Sequence, residues 1–275
     1  AREFNQPPCG VTDVETQTTR VSVYLPRKSM VSAARLQALR QGVRRIRQCG
    51  LEAGTGRVTV SQVRREDWAE SWKRHFKAME IGTALLIKPS WSKRRPRKGQ
   101  PELILDPGLS FGTGQHPTTR FCLEQLVLSR RPEQEQSFLD LGTGSGILAL
   151  AAAKLGYQPI EALDADPEAV RVARTNAQRN GVSQKVHLSC QDLRLLPTSK
   201  TFRYDVICAN LVADLLLEQT RRIIRWLKPG GTLVLAGILH TQFGAVRDRY
   251  ETEGFTLVGS RHEKEWESGS FKRIS

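Results

Sequence analysis

The stretch FLDLGTGSGIL, Phe138 to Leu148, decides how the C-terminal part of this chain folds. Its first residues form an apolar run of strand length, and the run ends in a glycine turn that opens a helix pattern over residues 146–155. Gly142 and Gly144 allow the backbone to turn sharply and to approach a ligand closely. The pattern therefore predicts a strand, a turn and a helix, with a ligand site at the turn.

The spacing of the glycines in this turn indicates which ligand it holds. Asp140 to Gly146 reads D-x-G-x-G-x-G, whereas a dinucleotide site prefers G-x-G-x-x-G and would need glycine at Ile147. The spacing disfavours NAD and favours a nucleoside ligand without a pyrophosphate. Because glycine turns also cap ordinary helices, the turn alone does not establish a site.

Strand and helix patterns alternate through the rest of the chain. Strands are predicted over residues 137–142, 159–166, 185–192, 204–210 and 231–239, and helices over residues 146–155, 167–180, 211–227 and 241–253. The residues from Phe255 onward predict an antiparallel hairpin that closes the sheet. This alternation predicts an α/β fold with a parallel sheet covered by helices on both faces, and such sheets bind ligands at the carboxyl ends of their strands.

Two of the predicted strands end in side chains that suit a nucleoside site. ALDADPEAV places Asp164 and Asp166 about twenty residues after the glycines, where a carboxylate binds the hydroxyls of a ribose. Asp166 precedes Pro167 and has the pattern of a helix N-cap, so Asp164 is the predicted ribose ligand. The fourth strand ends at Asn210, whose amide oxygen could accept a hydrogen bond from an incoming amine. A helix cap is the alternative role for Asn210.

Charge is unevenly distributed along the chain. Residues 1–100 carry 21 Lys and Arg against 8 Asp and Glu, a net of +13, while residues 101–275 carry a net of +1. This asymmetry indicates that the first part recognises something acidic, such as nucleic acid, or else has a well-solvated surface. The segment SKRRPRKGQP, residues 92–101, predicts an exposed loop that could contact phosphates or remain solvated.

The first part of the chain has the pattern of a small α+β domain. Strands are predicted over residues 19–26, 56–63 and 84–91, and helices from Ser32 and over residues 66–76. The composition changes near residue 90. We therefore predict a small basic α+β domain over residues 1–90, a linker over residues 91–105 and an α/β domain over residues 106–275.

Cysteine and histidine usage argues against a metal site or a disulfide framework. The five cysteines are odd in number, none has C-x-x-C spacing, and none of the five histidines lies four residues from another. Reduced thiols favour a cytoplasmic protein. No apolar run approaches the ~18 residues of a membrane span, so no membrane partner is expected.

Five segments of the second part resemble one family when they are taken together. They are LILDPGLSFGTGQHPTT, FLDLGTGSGILALAAAKLG, ALDADPEAVRVARTNAQRNGV, YDVICANLVADLLLE and LKPGGTLVLAGIL, in order over residues 101–260. The chain resembles the bacterial PrmA family, S-adenosylmethionine-dependent methyltransferases that act on protein eleven of the large ribosomal subunit. DPGLSFGTGQHPTT is the most distinctive motif, and EDWAESWKRHFKAMEIG resembles the family segment before the catalytic domain.

The resemblance implies a class I methyltransferase fold with a Rossmann-like, mostly parallel seven-stranded sheet, preceded by a substrate-recognition domain. It implies that S-adenosylmethionine is the cofactor and that it is contacted by four residues, Thr119, Gly142, Asp164 and Asn210. It also implies that the FGTGQHPTT loop, residues 111–119, lies over the cofactor held by the second glycine turn.

The loop and the helix after it suit the amino-acid end of this cofactor. Phe111 opens the loop, and Gly112 lets the loop close over the ligand. Pro117 suits the first turn of a helix, so Thr118 and Thr119 place hydroxyls and free amides at a helix start. Such a helix start binds a carboxylate.

The implied activity is transfer of methyl groups to lysine or N-terminal amines of a large-subunit ribosomal protein, with Asn210 orienting the amine. His116 could act as a base, although its position favours a role at the start of the helix. Enzymes that methylate amino groups of nucleic acids usually carry proline after the residue equivalent to Asn210, and Leu211 stands there in this chain. This difference argues against a base as the substrate.

In the resembled family the front domain recognises the ribosomal protein. The charge of residues 1–100 is more positive than that role requires and predicts an additional contact with ribosomal RNA. The alternatives are a related protein-lysine methyltransferase with another target, an RNA methyltransferase, and a non-catalytic RNA-binding module that keeps the fold.

Overall fold

A computed structural model describes residues 31–48, 56–60, 76–106, 116–196 and 203–273. The chain divides into two compact units, Ala1–His75 and Phe76–Ser275. Among the described residues, none of the helices combines the length and the apolar composition of a membrane span.

The described part of the first unit contains one helix, α1, Ala33–Gln48, which confirms the helix predicted from Ser32. Residues 56–60 were predicted to begin a strand and are not in one. Alternation of apolar and polar residues predicts which face of a strand each side chain would occupy. A strand also needs a neighbouring strand with which its backbone can form hydrogen bonds. The strand predicted over residues 19–26 and the helix predicted over residues 66–76 lie outside the described residues, apart from Phe76.

The second unit begins with a three-stranded sheet. Its strands are β1 (Met79–Ile81), β2 (Leu85–Lys88) and β3 (Glu102–Ile104), with β1 antiparallel and β3 parallel to β2. β2 confirms the strand predicted over residues 84–91. β3 lies inside residues 91–105, the range predicted as a linker.

The division into units therefore differs from the boundary predicted near residue 90. Leu85, Ile87 and Leu103 of the small sheet are buried in the same apolar cluster as residues of the second unit such as Phe121 and Leu150. The change in composition near residue 90 reflects the charge of an exposed loop, whereas the unit boundary follows the packing of apolar side chains.

A seven-stranded sheet and its covering helices make up the rest of the second unit. In chain order the elements are α2 (Pro117–Ser129), β4 (Phe138–Leu141), α3 (Ile147–Lys154), β5 (Ile160–Asp164), α4 (Pro167–Arg179), β6 (Val186–Cys190), β7 (Tyr204–Asn210), α5 (Ala213–Glu218), α6 (Thr220–Arg225), β8 (Leu227–Leu239), α7 (His240–Thr252), β9 (Phe255–Glu263) and β10 (Trp266–Arg273). These elements confirm the predicted alternation of strands and helices.

The strand order is β6-β5-β4-β7-β8-β10-β9. The strands from β4 to β8 pair in parallel, and β10 is antiparallel to both β8 and β9, which confirms the mostly parallel sheet and its closing hairpin. The chain runs outward from β4 to β6 and then returns to β7 on the other side of β4. This reversal opens a crevice at the carboxyl ends of the central strands, where doubly wound sheets bind ligands.

One predicted helix is divided in the structure. The pattern over residues 211–227 forms two helices, α5 and α6, that meet at Gln219. The Thr220 hydroxyl donates to the carbonyl oxygens of Leu216 and Leu217, both at 2.9 Å, and so competes with the backbone for these acceptors. Periodicity of apolar residues does not reveal such a local break.

Both faces of the large sheet are buried, because side chains alternate along each strand. On β7, Val206 and Cys208 join the cluster that contains α2 and α3, while Ile207 and Ala209 join the cluster that contains α5, α6 and α7. The sheet is therefore a rigid central layer, and the ends of its strands hold fixed positions relative to each other.

Asp140 is the only carboxylic acid among the described residues with a fully buried side chain. Its Oδ2 accepts hydrogen bonds from the Thr143 hydroxyl at 2.7 Å and the Ala149 amide at 3.2 Å, which joins β4 to the start of α3. Oδ1 is buried, and no group in the described part of the chain bonds to it. Burial, together with the charge of Asp164, raises the pKa of Asp140 to about 7.

This raised pKa predicts how stability depends on pH. The unfolded chain has an ordinary aspartate pKa of about 3.9, so between about pH 4 and pH 7 the folded protein binds the proton more tightly. The free energy of unfolding of the cofactor-free protein should therefore fall by about 3 kcal/mol from pH 5 to pH 8 through this one group. Asp140→Asn carries no charge and should lose less stability over the same range. Urea unfolding of both proteins at pH 5 and pH 8 measures the difference, and parallel losses would contradict it.

Candidate active site

The register of the parallel strands brings three predicted site residues together. Leu141 on β4 pairs with Leu163 on β5 and with Ala209 on β7. The next residue on each strand is Gly142, Asp164 and Asn210, respectively. These three residues therefore lie side by side at the carboxyl edge of the sheet, at the crevice beside β4.

The carboxylate of Asp164 is held by two backbone amides. Oδ2 accepts from the Gly144 amide at 2.8 Å, and Oδ1 accepts from the Asp166 amide at 3.0 Å. Each carboxylate oxygen can accept a further hydrogen bond, so the half-buried side chain is oriented and still able to bind hydroxyl donors. Asp166 is a helix N-cap, as predicted, because its side chain accepts a hydrogen bond from the Glu168 amide at 2.8 Å and caps α4.

Glycine is required in the turn after β4. Gly142 has a φ of 76°, and a Cβ at this position would come within 2.5 Å of the Leu211 side chain. Gly144 has a φ of 54° and directs its amide to Asp164. Both residues have left-handed backbone conformations, which residues other than glycine avoid. With glycine at both positions, the turn can adopt this conformation and present its backbone to a ligand.

Asn210 ends β7 in a half-buried position next to a glycine that sequence reasoning did not single out. A Cβ on Gly237 of β8 would come within 2.9 Å of Asn210 Oδ1 and 2.8 Å of the Leu211 carbonyl oxygen. The Asn210 side chain makes no hydrogen bond to any other described residue, and it does not cap α5, whose N-cap is Val212. Its amide group is therefore available to a ligand. Gly237 lies within a predicted strand, and such a glycine often marks a close approach of another group.

Helix α2 has its first turn at the same edge of the sheet. Gln136, before β4, donates from Nε2 to the carbonyl oxygen of Ser129, so the end of α2 lies at the amino end of the strands. The helix is 13 residues long and spans about 20 Å, which carries its start toward the carboxyl edge. Thr118 and Thr119 are buried in this first turn. No group in the described part of the structure bonds to Thr119 Oγ1.

The start of α2 is also packed against the closing hairpin. The His116 and Trp266 rings meet edge to face, with centroids 5.0 Å apart, and His116 Nδ1 lies 2.7 Å from the Thr118 hydroxyl. Burial lowers the pKa of His116 below its ordinary value, which favours the neutral ring at neutral pH. Trp266 pairs with Leu239 at the end of β8, which also places the start of α2 at the carboxyl edge.

Sequence reasoning did not predict the contact between His116 and Trp266, because the two residues belong to distant segments that only the folded sheet brings together. His116 is the N-cap residue of α2, although its side chain makes no capping bond. Phe111 and Gly112, the other predicted site residues, lie outside the described residues.

The arrangement suits a nucleoside with an amino-acid tail. A carboxylate fixed at one strand end can accept ribose hydroxyls, and the glycine turn allows close approach to the sugar. The first turn of α2 offers backbone amides to an anionic group, together with the hydroxyl of Thr119, which no described residue bonds. The residues present therefore fit S-adenosylmethionine, the group that the sequence resemblance implies.

Comparison with known proteins identifies the family. The sequence profile of the family described as "Ribosomal protein L11 methyltransferase (PrmA)" matches residues 3–273. A ribosomal protein L11 methyltransferase of Trichlorobacter lovleyi is 43% identical over 219 residues, which are 78% of this chain and 70% of that protein. One from Streptococcus equi subsp. zooepidemicus is 34% identical over 262 residues, 94% of this chain and 80% of that protein.

A solved structure gives the same result for the fold. The crystal structure of a ribosomal protein L11 methylase from Lactobacillus delbrueckii subsp. bulgaricus superposes with a TM-score of 0.64 and 28% sequence identity, over 73% of this chain and 100% of that chain. The match over nearly the whole sequence and the shared mostly parallel sheet lead to one conclusion: the chain belongs to the ribosomal protein L11 methyltransferase (PrmA) family of S-adenosylmethionine-dependent methyltransferases.

Proposed function

We propose that this enzyme methylates lysine side chains and N-terminal amines of ribosomal protein L11 in the cytoplasm. The juxtaposition of Gly142, Asp164 and Asn210 carries the proposal, because it sets a cofactor-binding turn, a ribose ligand and an amine acceptor on adjacent strand ends. Tritiated methyl transfer to ribosomal protein or ribosomal RNA from cells that lack the enzyme tests it. Label in the RNA and not in the protein would contradict the proposal and favour the RNA methyltransferase alternative.

Residues at two places in the described structure are proposed to bind the cofactor. Asp164 accepts hydrogen bonds from the ribose, and Gly142 and Gly144 pass close to the sugar and the amino-acid portion. Thr118 and Thr119, at the start of α2, hold the carboxylate of the amino-acid portion. Phe111 and Gly112 lie outside the described residues, and they are included in the proposal because the family resemblance implies that they cover the cofactor.

When S-adenosylmethionine is bound, its sulfonium centre supplies a methyl group that is already activated for transfer. The protein's task is to align a neutral amine with that group and to exclude water. A lysine amine has an ordinary pKa of about 10.4, so it must lose a proton before it can act as a nucleophile. A desolvated crevice lowers the pKa of the amine, because burial disfavours its charged form.

Asn210 orients the amine in this proposal. Its side chain has no hydrogen-bonding partner among the described residues, and the absence of a Cβ at Gly237 makes room for its oxygen. The amide oxygen accepts a hydrogen bond from the amine, which turns the nitrogen lone pair away from Asn210. The packing of His116 against Trp266 adds an apolar wall at the same edge of the sheet and limits access of water.

Asp164→Ala should weaken cofactor binding. The substitution removes the ribose ligand and also releases the Gly144 amide, so we expect the dissociation constant for S-adenosylhomocysteine to rise about 10- to 100-fold. Isothermal titration calorimetry measures it. Asp166→Ala is the matched control, because that acid caps α4 and should lower stability while leaving affinity within about threefold. Equal affinities for wild type and Asp164→Ala would remove Asp164 from the site.

Asn210→Ala should reduce turnover more than cofactor affinity. Loss of one orienting hydrogen bond is expected to lower kcat about 100-fold, with cofactor affinity changed by less than about threefold. Asn210→Asp keeps an acceptor oxygen of the same shape and should retain more activity than the alanine variant. Single-turnover methylation of the ribosomal protein and calorimetry on the same preparations measure both quantities, and an unchanged kcat would refute the role.

We also propose that the first unit recognises the protein substrate, as the front domain does in the resembled family. Deletion of residues 1–75 respects the unit boundary, whereas deletion of residues 1–90 would remove β1 and β2 from the core of the second unit. The shortened enzyme should bind S-adenosylhomocysteine as the full chain does but should methylate the ribosomal protein at least about 100-fold more slowly. Full activity in the shortened enzyme would place recognition in the second unit.

Contact with ribosomal RNA is a further part of the proposal. The net charge of +13 on residues 1–100 supports it, because phosphate neutralisation by Lys and Arg dominates the affinity of proteins for nucleic acids. The charge alone does not indicate which residues make the contact.

A further inference from the structure

The connection between β2 and β3 is the most concentrated cationic segment of the described residues. This basic loop, residues 92–100, reads SKRRPRKGQ and contains five cations and no acid. The side chains from Lys93 to Lys98 are all exposed. Like charges packed this closely repel each other, so a loop that stays ordered needs other interactions to hold it.

Glu80 of β1 provides one of these interactions. Its two carboxylate oxygens pair with different arginines of the loop, Arg94 at 2.6 Å and Arg97 at 3.2 Å. The hydrogen bond from Arg94 holds the pKa of Glu80 below its ordinary value. Lys88 of β2 adds a bond from Nζ to the Arg94 carbonyl oxygen at 2.9 Å. The loop is therefore fastened to two strands of the small sheet.

Backbone hydrogen bonds close the two ends of the loop. The Ser92 amide donates to the Pro89 carbonyl oxygen at 3.0 Å. At the other end, the Gln100 amide donates to the Arg97 carbonyl oxygen, and the Gln100 side chain accepts from the Arg97 amide, both at 3.0 Å. Gln100 is only 7% exposed and anchors the loop in the protein. The basic loop thus has a defined shape before any partner binds.

Three cations of the basic loop have no partner of opposite charge within the described part of the chain. Lys93, Arg95 and Lys98 form no ion pair with any residue that the structure describes. Many exposed arginines elsewhere in the second unit are paired, for example in Arg120–Glu124, Arg171–Glu168, Arg194–Asp192, Arg221–Glu253 and Arg261–Glu124. The basic loop uses two arginines to hold its shape and presents three cations to solvent.

We propose that the basic loop binds the phosphate backbone of ribosomal RNA through Lys93, Arg95 and Lys98. A preformed row of cations loses less conformational entropy on binding a polyanion than a flexible one. Arginine, the commonest residue in the loop, binds phosphate through two parallel hydrogen bonds. The loop exposes no large apolar side chain, and binding to a membrane surface usually requires such side chains in addition to charge.

This inference rests on the proposed function in one respect: the proposed substrate is a ribosomal protein, and ribosomal RNA is the polyanion with which such a protein assembles. It locates the RNA contact in the second unit, on residues whose structure and charge pairing are described. It does not require the site of methyl transfer to touch RNA.

The test compares two triple variants of the full-length chain. Lys93→Ser/Arg95→Ser/Lys98→Ser removes the three unpaired cations and leaves Glu80 with both arginines. Lys185→Ser/Arg225→Ser/Lys272→Ser removes the same charge from exposed positions near the amino ends of the strands. Fluorescence anisotropy with a labelled single-stranded fragment of large-subunit ribosomal RNA, at 50 to 300 mM salt, measures affinity and its salt dependence.

The loop variant should bind the RNA at least about tenfold more weakly at 100 mM salt, and its salt slope should fall by about 2, as expected for three lost phosphate contacts. The control should stay within about twofold of wild type. Equal losses in both variants would overturn the proposal, because they would show dependence on net charge alone. Loop-dependent binding to vesicles containing 30% phosphatidylserine, without RNA binding, would also overturn it.

Methylation of isolated ribosomal protein separates this inference from the proposed function. The loop variant should methylate the protein at the wild-type rate, since none of its substituted residues belongs to the site. If wild type does not methylate the protein but binds RNA through the loop, the proposed function fails and the inference stands. Normal methylation without loop-dependent RNA binding would support the proposed function and overturn this inference.

Discussion

The hydrogen bond from the Gly144 amide to the Asp164 carboxylate, at 2.8 Å, connects the turn after β4 to the end of β5, and the geometry of the site depends on it. It orients the acid that is proposed to bind ribose and restrains the turn that is proposed to approach the ligand. It can form only because β4 and β5 are adjacent and in register, with Leu141 opposite Leu163. A carboxylate fixed by two backbone amides needs little reorganisation when a ligand binds.

The buried acid Asp140 supports this turn from inside the protein. Its side chain bonds to Thr143 and to the amide of Ala149, so the turn and the start of α3 are fixed to β4. Burial of this group is unfavourable when it is charged, and its pKa is raised to about 7. The nearby charge of Asp164 adds to the effect. The protein therefore holds the turn after β4 in place at a cost in stability at neutral and alkaline pH.

The small sheet is joined to the large one by polar as well as apolar contacts. Asn180, at the end of α4, accepts from the Ile104 amide at 2.7 Å and donates to its carbonyl oxygen at 2.8 Å, as a neighbouring strand would. Asp106, two residues later, pairs with Arg179 and accepts from the Ser90 amide at 2.7 Å. These bonds fix Asp106, the last described residue before the segment that contains Phe111 and Gly112. They also support the base of the basic loop, which lies between β2 and β3.

The sequence by itself determined the alternation of strands and helices and the glycine turn, because periodicity and short motifs depend on neighbours in the chain. It also predicted Asp164 and Asn210 as site residues. The family followed from motifs of the same kind, and the comparisons confirmed it. Only the tertiary structure decided that Gly142, Asp164 and Asn210 lie side by side, that Trp266 packs on His116, and that β3 belongs to the second unit. It likewise separated the paired arginines of the basic loop from the three exposed cations. Each of these features joins segments far apart in the chain, and the packing and hydrogen bonds that select them form only when the whole sheet is assembled.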